Sequence, residues 1–213
     1  MSELWSARAA AYVESDAHRG GDDLEQLVAW AAGAATALDV ATGGGHVARR
    51  LREHGIQVVT CDAAPGMQPD VICTAESLPF DAESFDVVAC RTAAHHFADS
   101  GRALHEMARV AHDRVIVVDT ANMGEAVEEA EKLRDPSHVR NYTDTEWAGL
   151  IAGAGLELDE VRFFEHEFEL QAWLDRTGCA GADAERAVEL LGERAAGGRL
   201  TLSKIAILSR KER

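Results

Sequence analysis

Residues 37–48 read Ala37-Leu38-Asp39-Val40-Ala41-Thr42-Gly43-Gly44-Gly45-His46-Val47-Ala48, and this stretch decides the fold. A short apolar run ends in three consecutive glycines, and a helical pattern begins at His46. A tight glycine turn between strand and helix lets a ligand approach the backbone and aims helix N–H groups at it. The turn therefore predicts a nucleotide-like ligand. Gly43-x-Gly45-x-x-Ala48 also satisfies the dinucleotide pattern G-x-G-x-x-G/A, so a nicotinamide cofactor and another adenosine ligand are both open at this point.

Working outward, the same strand–loop–helix unit recurs. Residues 57–62 (QVVTCD), 71–75, 85–91 (FDVVACR) and 114–120 (RVIVVDT) are short apolar runs rich in Val and Ile. Such runs suit central strands of a parallel sheet covered by helices on both faces. Helical patterns at 46–54 and 99–111 lie between them, which predicts a doubly wound α/β fold with right-handed crossovers. On the N-terminal side, residues 2–15 form an amphipathic helix, 15–21 a polar break, and Asp22 caps a helix to about Ala32. On the C-terminal side, 122–141 is charged and mostly helical, and Thr143 or Asp144 opens a helix that ends at the Gly153–Gly155 turn. Residues 156–168 and 200–211 are two long strands around a helical stretch at 170–194. The chain reads as a single domain over 1–213. It has a helical cap at 1–33, a ligand-binding core at 34–121, and helical insertions at 122–142 and 170–198 over the site.

Composition narrows the partners. The 213 residues carry 21 Lys and Arg against 37 Asp and Glu, a formal net charge of −16. A chain this acidic repels a phosphate backbone unless its cations cluster, and the one dense basic stretch, 210–213, reads as a solvated tail. Nucleic acid and anionic membrane surfaces are therefore poor partners. The longest apolar stretch, 27–38, is too short to span a bilayer and stops at Asp39. No secretory leader is visible, and Cys61, Cys73, Cys90 and Cys179 form no C-x-x-C pair. They read as reduced residues of a cytoplasmic protein.

Two acids stand at or close to strand ends. Asp62 closes QVVTCD, where a carboxylate accepts two hydrogen bonds from a ribose diol; the alternative is a helix-capping aspartate in a loop. Asp39 lies inside the first strand just before the glycines, where it suits a ligand bearing an ammonium group; the alternative is a partly buried aspartate bonded to backbone amides. The segment after the fifth strand should hang over the crevice at the carboxyl ends of the strands. Its Arg134, His138, Arg140 and Tyr142 are candidate contacts to a polar acceptor, or else members of an ion-paired surface helix. The nine histidines show no paired spacing with an implied third ligand, so no metal is expected.

Taken together, these motifs resemble a known family. LDVATGGGHVA (38–48), VTCDAAPGM (59–67), the stretch 75–99 with its Leu-Pro-Phe loop and histidine-bearing end, and ALHEMARV (103–110) follow one another as in class I S-adenosylmethionine-dependent methyltransferases of the ubiquinone/menaquinone-biosynthesis-like group. The resemblance covers about residues 37–120. It implies a seven-stranded Rossmann-like sheet, mostly parallel with an antiparallel last strand. It also implies methyl transfer from S-adenosylmethionine to a small-molecule acceptor, with S-adenosylhomocysteine as product.

Asp39, Gly43 and Gly45 match the first motif, and Ala41 stands where the family has its first glycine. The resemblance implies that Asp62 holds the ribose and that Ala63 and Met67 line the adenine. Thr74 stands where the family commonly has an acid or amide for the adenine amine, with Ala75 and Glu76 beside it. Arg91 would face the methionine portion or the acceptor. Tyr12 and His18, with Trp5, would close the other side, and Trp173 and Leu174 would complete the lid or pack in the core. His95 and His96 lie where the family's substrates approach, one as base or substrate contact; otherwise one packs beneath the loop and the other is solvated. The alternatives are an NAD(P)-dependent oxidoreductase on the same turn, although no Y-x-x-x-K pair exists, and a non-catalytic protein that binds S-adenosylmethionine.

Overall fold

A computed structural model describes residues 2–13 and 15–211. Five strands run parallel: β1 (Thr36–Val40), β2 (Gln57–Asp62), β3 (Val71–Ile72), β4 (Phe85–Arg91) and β5 (Ala111–Thr120). The last two, β6 (Leu156–Glu169) and β7 (Arg199–Lys211), complete a seven-stranded sheet of order β3-β2-β1-β4-β5-β7-β6. Only β7 runs against its neighbours. The Rossmann-like sheet with one antiparallel strand is thus as expected.

Helices cover both faces because the central strands are apolar on both. On one face, α3 (Asp22–Trp30) and α4 (His46–Glu53) bury Leu24, Leu27, Val47 and Leu51 against β1, β2, β4 and β5. On the other, α5 (Ser100–Val110) and α7 (Asp144–Gly153) bury Leu104, Met107, Trp147 and Ile151. Each such large apolar side chain contributes about 1.5–3 kcal/mol of transfer free energy. The remaining helices are α1 (Ser2–Val13), α2 (Asp16–Arg19), α6 (Glu125–Arg134), α8 (Leu170–Asp175) and α9 (Gly181–Leu191).

Several boundaries differ from the sequence reading. The polar break contains the short helix α2, and Asp22 is the first residue of α3, whose cap is Gly21 at φ 120°. The α1 helix stops at Val13, and Glu14 lies outside the described residues. The helix expected over 122–141 is only α6. Asp135 precedes Pro136, whose ring disfavours helical backbone in the residue before it, and Asp135 is extended at φ −133°, ψ 102°. The basic tail, where it is described, is exposed at Arg210 but ends β7 and is ion-paired. Arg210 pairs with Asp159 and Asp113, and Lys211 with Glu83, while Glu212 and Arg213 lie outside the described residues.

The two helical insertions do not roof the site together. They pack on each other: Val127 and Ala130 of α6 meet Trp173, Leu174, Ala187 and Leu191, closed by Leu200 and Leu202 of β7. Apolar faces on amphipathic helices must be buried, and here they bury one another in a third, smaller core.

Candidate active site

The strand order reverses at β1: β2 and β3 follow on one side, β4 and β5 on the other. In an open α/β sheet the crevice at such a switch point is where ligands bind. A cavity of about 360 Å³ lies there, at the carboxyl ends of β1, β2 and β4.

The floor is the glycine turn. Gly43 and Gly45 have φ of 51° and 72°, conformations that L side chains adopt at a cost. A Cβ on Gly44 would meet the Tyr12 carbonyl oxygen at 2.7 Å, so this glycine is required by the close approach of the N-terminal segment. Ala41, in the place of the family's first glycine, is itself left-handed at φ 55°, and Thr92, just past β4, matches it at φ 56°. Non-glycine residues in this region cost about 1–2 kcal/mol. Ala41→Gly is therefore expected to raise stability by roughly 0.5–1 kcal/mol, the relieved strain outweighing the freer unfolded chain. Urea denaturation checks this; a lower stability would contradict the strain.

Asp39 is buried beneath the turn, where its Oδ2 accepts from Thr42 Oγ1 at 2.6 Å and from the Ala48 N–H at 3.1 Å. Burial pushes its pKa up to about 6, against the pull of those two donors. Asp62 accepts from the Gly43 N–H at 3.0 Å and from the Ala64 N–H at 2.9 Å, and so ties the end of β2 to the glycine turn. Burial raises its pKa as well.

The expected cofactor residues Asp39, Ala41, Gly43, Asp62, Ala63, Met67, Thr74, Ala75, Glu76 and Arg91 all border the cavity. Gly45 does not; it shapes the turn as the N-cap of α4. Arg91 borders the cavity, and four of its five N–H donors are taken. They bond to both oxygens of Asp23, at 2.8 and 3.1 Å, and to the carbonyls of His18 and Gly20. Its guanidinium thus anchors the N-terminal cap at the cavity's edge.

The two histidines divide. His96 borders the cavity, its ring 4.0 Å from that of His95 and 4.6 Å from that of Trp5. His95 is buried behind it, outside the cavity wall. Its Nδ1 lies 2.5 Å from Asp119 Oδ1, and its N–H donates to Asp119 Oδ2 at 2.8 Å. Burial lowers the His95 pKa, but the Asp119 charge and hydrogen bond outweigh it, and the net shift is upward. Burial, and then the neighbouring His95 charge, push His96 well below the usual histidine range. His96 is therefore a neutral imidazole at pH 7. With Nδ1–H donated to the Ser137 carbonyl at 3.1 Å, its Nε2 carries a lone pair.

Tyr12 and His18 border the cavity with Trp5, as expected of the cap. The other acceptor candidates do not reach it. Arg134 donates to the Trp173 carbonyl and stacks on that ring, held within the third core. Arg140 pairs with Glu146 and lies over Tyr142, whose ring packs on Trp147. His138 turns toward Glu128 and Glu131, so from this segment it is Val139 that borders the cavity. Sequence reasoning missed Asp119 and Asp23. Asp119 carried a signal, an acid at the end of an apolar strand like Asp39 and Asp62. Asp23, one of two adjacent acids in a helix first turn, carried none.

This sheet order, with a glycine turn and an acid at the end of β2 bordering one crevice, defines a class I methyltransferase. The comparisons agree. A methyltransferase domain profile matches residues 38–118. The uncharacterized methyltransferase YcgJ of Bacillus subtilis strain 168 is 30% identical over 208 residues, covering 86% of this chain and 82% of that one. The crystal structure of YcgJ superposes with a TM-score of 0.81 at 26% identity, over 90% of this chain and 98% of that one. The Burkholderia thailandensis 1,6-didemethyltoxoflavin-N1-methyltransferase, solved with 1,6-didemethyltoxoflavin and S-adenosylhomocysteine, shares the fold (TM-score 0.63, 17% identity, 99% of this chain and 88% of that one). The chain belongs to the methyltransferase-domain family of S-adenosylmethionine-dependent enzymes.

Proposed function

We propose that the cavity holds S-adenosylmethionine and that the methyl group passes to a small-molecule acceptor enclosed beneath the N-terminal cap. The observation that carries this reading is the convergence of Asp39, the glycine turn and Asp62 on one side of the cavity with His96, Phe97 and Val139 among its other walls. The residues present fit the cofactor. Asp62 keeps lone pairs for a ribose diol beyond its two backbone bonds, and Asp39 supplies a buried acid for an ammonium group. The glycine turn leaves room for close backbone approach. When bound, S-adenosylmethionine supplies an electrophilic sulfonium methyl.

The chain's own part is to orient and to exclude water. Trp5 and Tyr12 of α1 cover the cavity, and Arg8 of the same helix bonds to Asp135 and to the Thr177 carbonyl, holding the cap onto the insertions. Enclosure of this kind supplies much of the acceleration of a displacement whose two partners must meet in line. His96 presents a neutral imidazole to the acceptor side, and its Nε2 accepts a hydrogen bond that orients the acceptor's hydroxyl or amine. His95 and Asp119 fix the loop that carries it. Membership in the methyltransferase family displaces the nicotinamide reading of the same turn, and the enclosed cavity supports a discrete acceptor over a macromolecular surface.

His96→Ala is expected to leave cofactor affinity within about twofold while lowering turnover on the acceptor by up to about 10²-fold through lost positioning. Calorimetry and steady-state kinetics separate the two quantities. Loss of cofactor affinity with the fold intact would contradict the assignment. Methyl transfer itself is tested by incubating the protein with S-adenosylmethionine and acceptor panels and following the gain of one CH₂ by mass spectrometry. Transfer to small acceptors supports the proposal; transfer to proteins alone would overturn it.

A further inference from the structure

The sequence carried no expectation of metal ligands, but the structure brings three together away from the cavity wall. Glu128 and Glu131 stand three residues apart on α6, so both project from one helix face. The turn that ends α6 at Pro136 returns the chain so that His138 meets them. His138 Nε2 lies 3.4 Å from Glu128 Oε2 and 3.8 Å from Glu131 Oε2. One ligand atom from each of the three lies within 4.8 Å of the others. Two donors bound to one cation at zinc-like distances in tetrahedral geometry stand about 3.4 Å apart. The spacing is that of ligands around a shared ion.

The cluster also brings two carboxylates together on a single imidazole. The side chains of Glu131 and His138 are buried, at 7% and 3% exposure, and that of Glu128 is nearly so. Among the described residues, neither glutamate has an ion pair with a lysine or arginine. Arg134 directs its Nε to the Trp173 carbonyl, Arg140 pairs with Glu146, and the His95 ring, 5.3 Å from that of His138, pairs with Asp119. Two carboxylates facing one imidazole in a buried site are costly unless a further charge balances them.

Asn141 packs on the same cluster. Asn141 is buried at 1% exposure, and its side-chain amide lies against the cluster, with Nδ2 on Glu131 and its backbone N–H on Glu128 Oε1 at 2.8 Å. Its Oδ1 is buried without a hydrogen-bond partner.

We propose that Glu128, Glu131 and His138 form a binding site for a divalent transition-metal ion of the zinc class, one imidazole with two carboxylates. Such a mixed set suits a borderline cation more than magnesium, which prefers oxygen alone. The ion ties α6 to the segment 135–142, whose Val139 borders the cavity and donates its N–H to the His95 carbonyl at 2.9 Å. Its role is to hold that wall rather than to act on substrate.

The test is titration of the chelator-stripped full-length protein with zinc chloride by calorimetry, beside Glu131→Gln and His138→Ala with folding checked by circular dichroism. The wild-type protein should bind one equivalent at micromolar or tighter affinity, and each variant should lose at least tenfold. Absence of binding by the wild type, or equal binding by the folded variants, overturns the site. Should a variant not fold, zinc-soaked crystals of the wild-type protein decide. An anomalous peak within coordination distance of His138 Nε2 supports the site, and zinc found only elsewhere overturns it.

Discussion

Replacing Asp23 by alanine is expected to cost about 3–5 kcal/mol of stability, the range seen when one partner of a buried ion pair is removed. Asp23 is buried at 1% exposure and is shared by two cations. Arg91 of β4 reaches it at 2.8 Å, and Lys204 of β7 at 3.0 Å. Removing the carboxylate leaves an arginine and a lysine inside the protein facing each other. Burial pushes the Asp23 pKa up, but Lys204 and Arg91 more than offset it, and the net shift is downward. A depressed carboxyl pKa contributes stability that is present above the unfolded value of about 4 and is lost as pH falls through the folded value. The cost of the substitution should therefore be full at pH 7 and shrink in strong acid. Because Arg91 also holds the carbonyls of His18 and Gly20, the cap should loosen with it, visible as faster amide exchange in α2 and α3. Urea denaturation at pH 7 measures the main effect, and a change below about 1 kcal/mol would mean that the triad is already balanced by solvent.

Asp62→Ala is the larger effect on ligand binding. Its carboxylate borders the cavity and accepts from Gly43 and Ala64. Loss of charged hydrogen bonds to a ribose diol is worth roughly 1.5–3 kcal/mol, so S-adenosylmethionine affinity should fall by about one to two orders of magnitude. The substitution also releases the Gly43 N–H, and Asp62→Asn separates the two effects. The amide still accepts from the glycine turn but lacks the charge, so its affinity should fall between wild type and alanine. Equal affinity of all three proteins would remove Asp62 from the ribose site.

What was legible in the sequence was local. The strand-then-glycine pattern at 37–48 and the acid closing QVVTCD fixed where a ligand meets the sheet, because turn chemistry and strand ends are set by a few adjacent residues. What was not legible depends on partners far apart in the chain. Arg91 reads as a site cation until Asp23 and Lys204, distant in sequence, are seen to enclose it. Trp173 and Leu174 show that a helix face must be buried, but not that α6 rather than the cavity buries it. Arg134, Arg140 and Tyr142 follow the fifth strand as a crevice-facing segment would, yet the turn at Pro136 sends all but Val139 away from the cavity. Asp119 was legible in principle, since an acid that follows the buried apolar run 115–118 must find a donor, and it finds His95.

The central claim, that the crevice at the β1–β4 switch point is an S-adenosylmethionine site, is tested most directly by parallel calorimetric titration. The purified protein is titrated with S-adenosylmethionine, S-adenosylhomocysteine, NADH and NADPH. Saturable binding of the first two at one per chain, with no heat from the nicotinamides, is the predicted result. Binding of a nicotinamide cofactor with none from S-adenosylmethionine would contradict it.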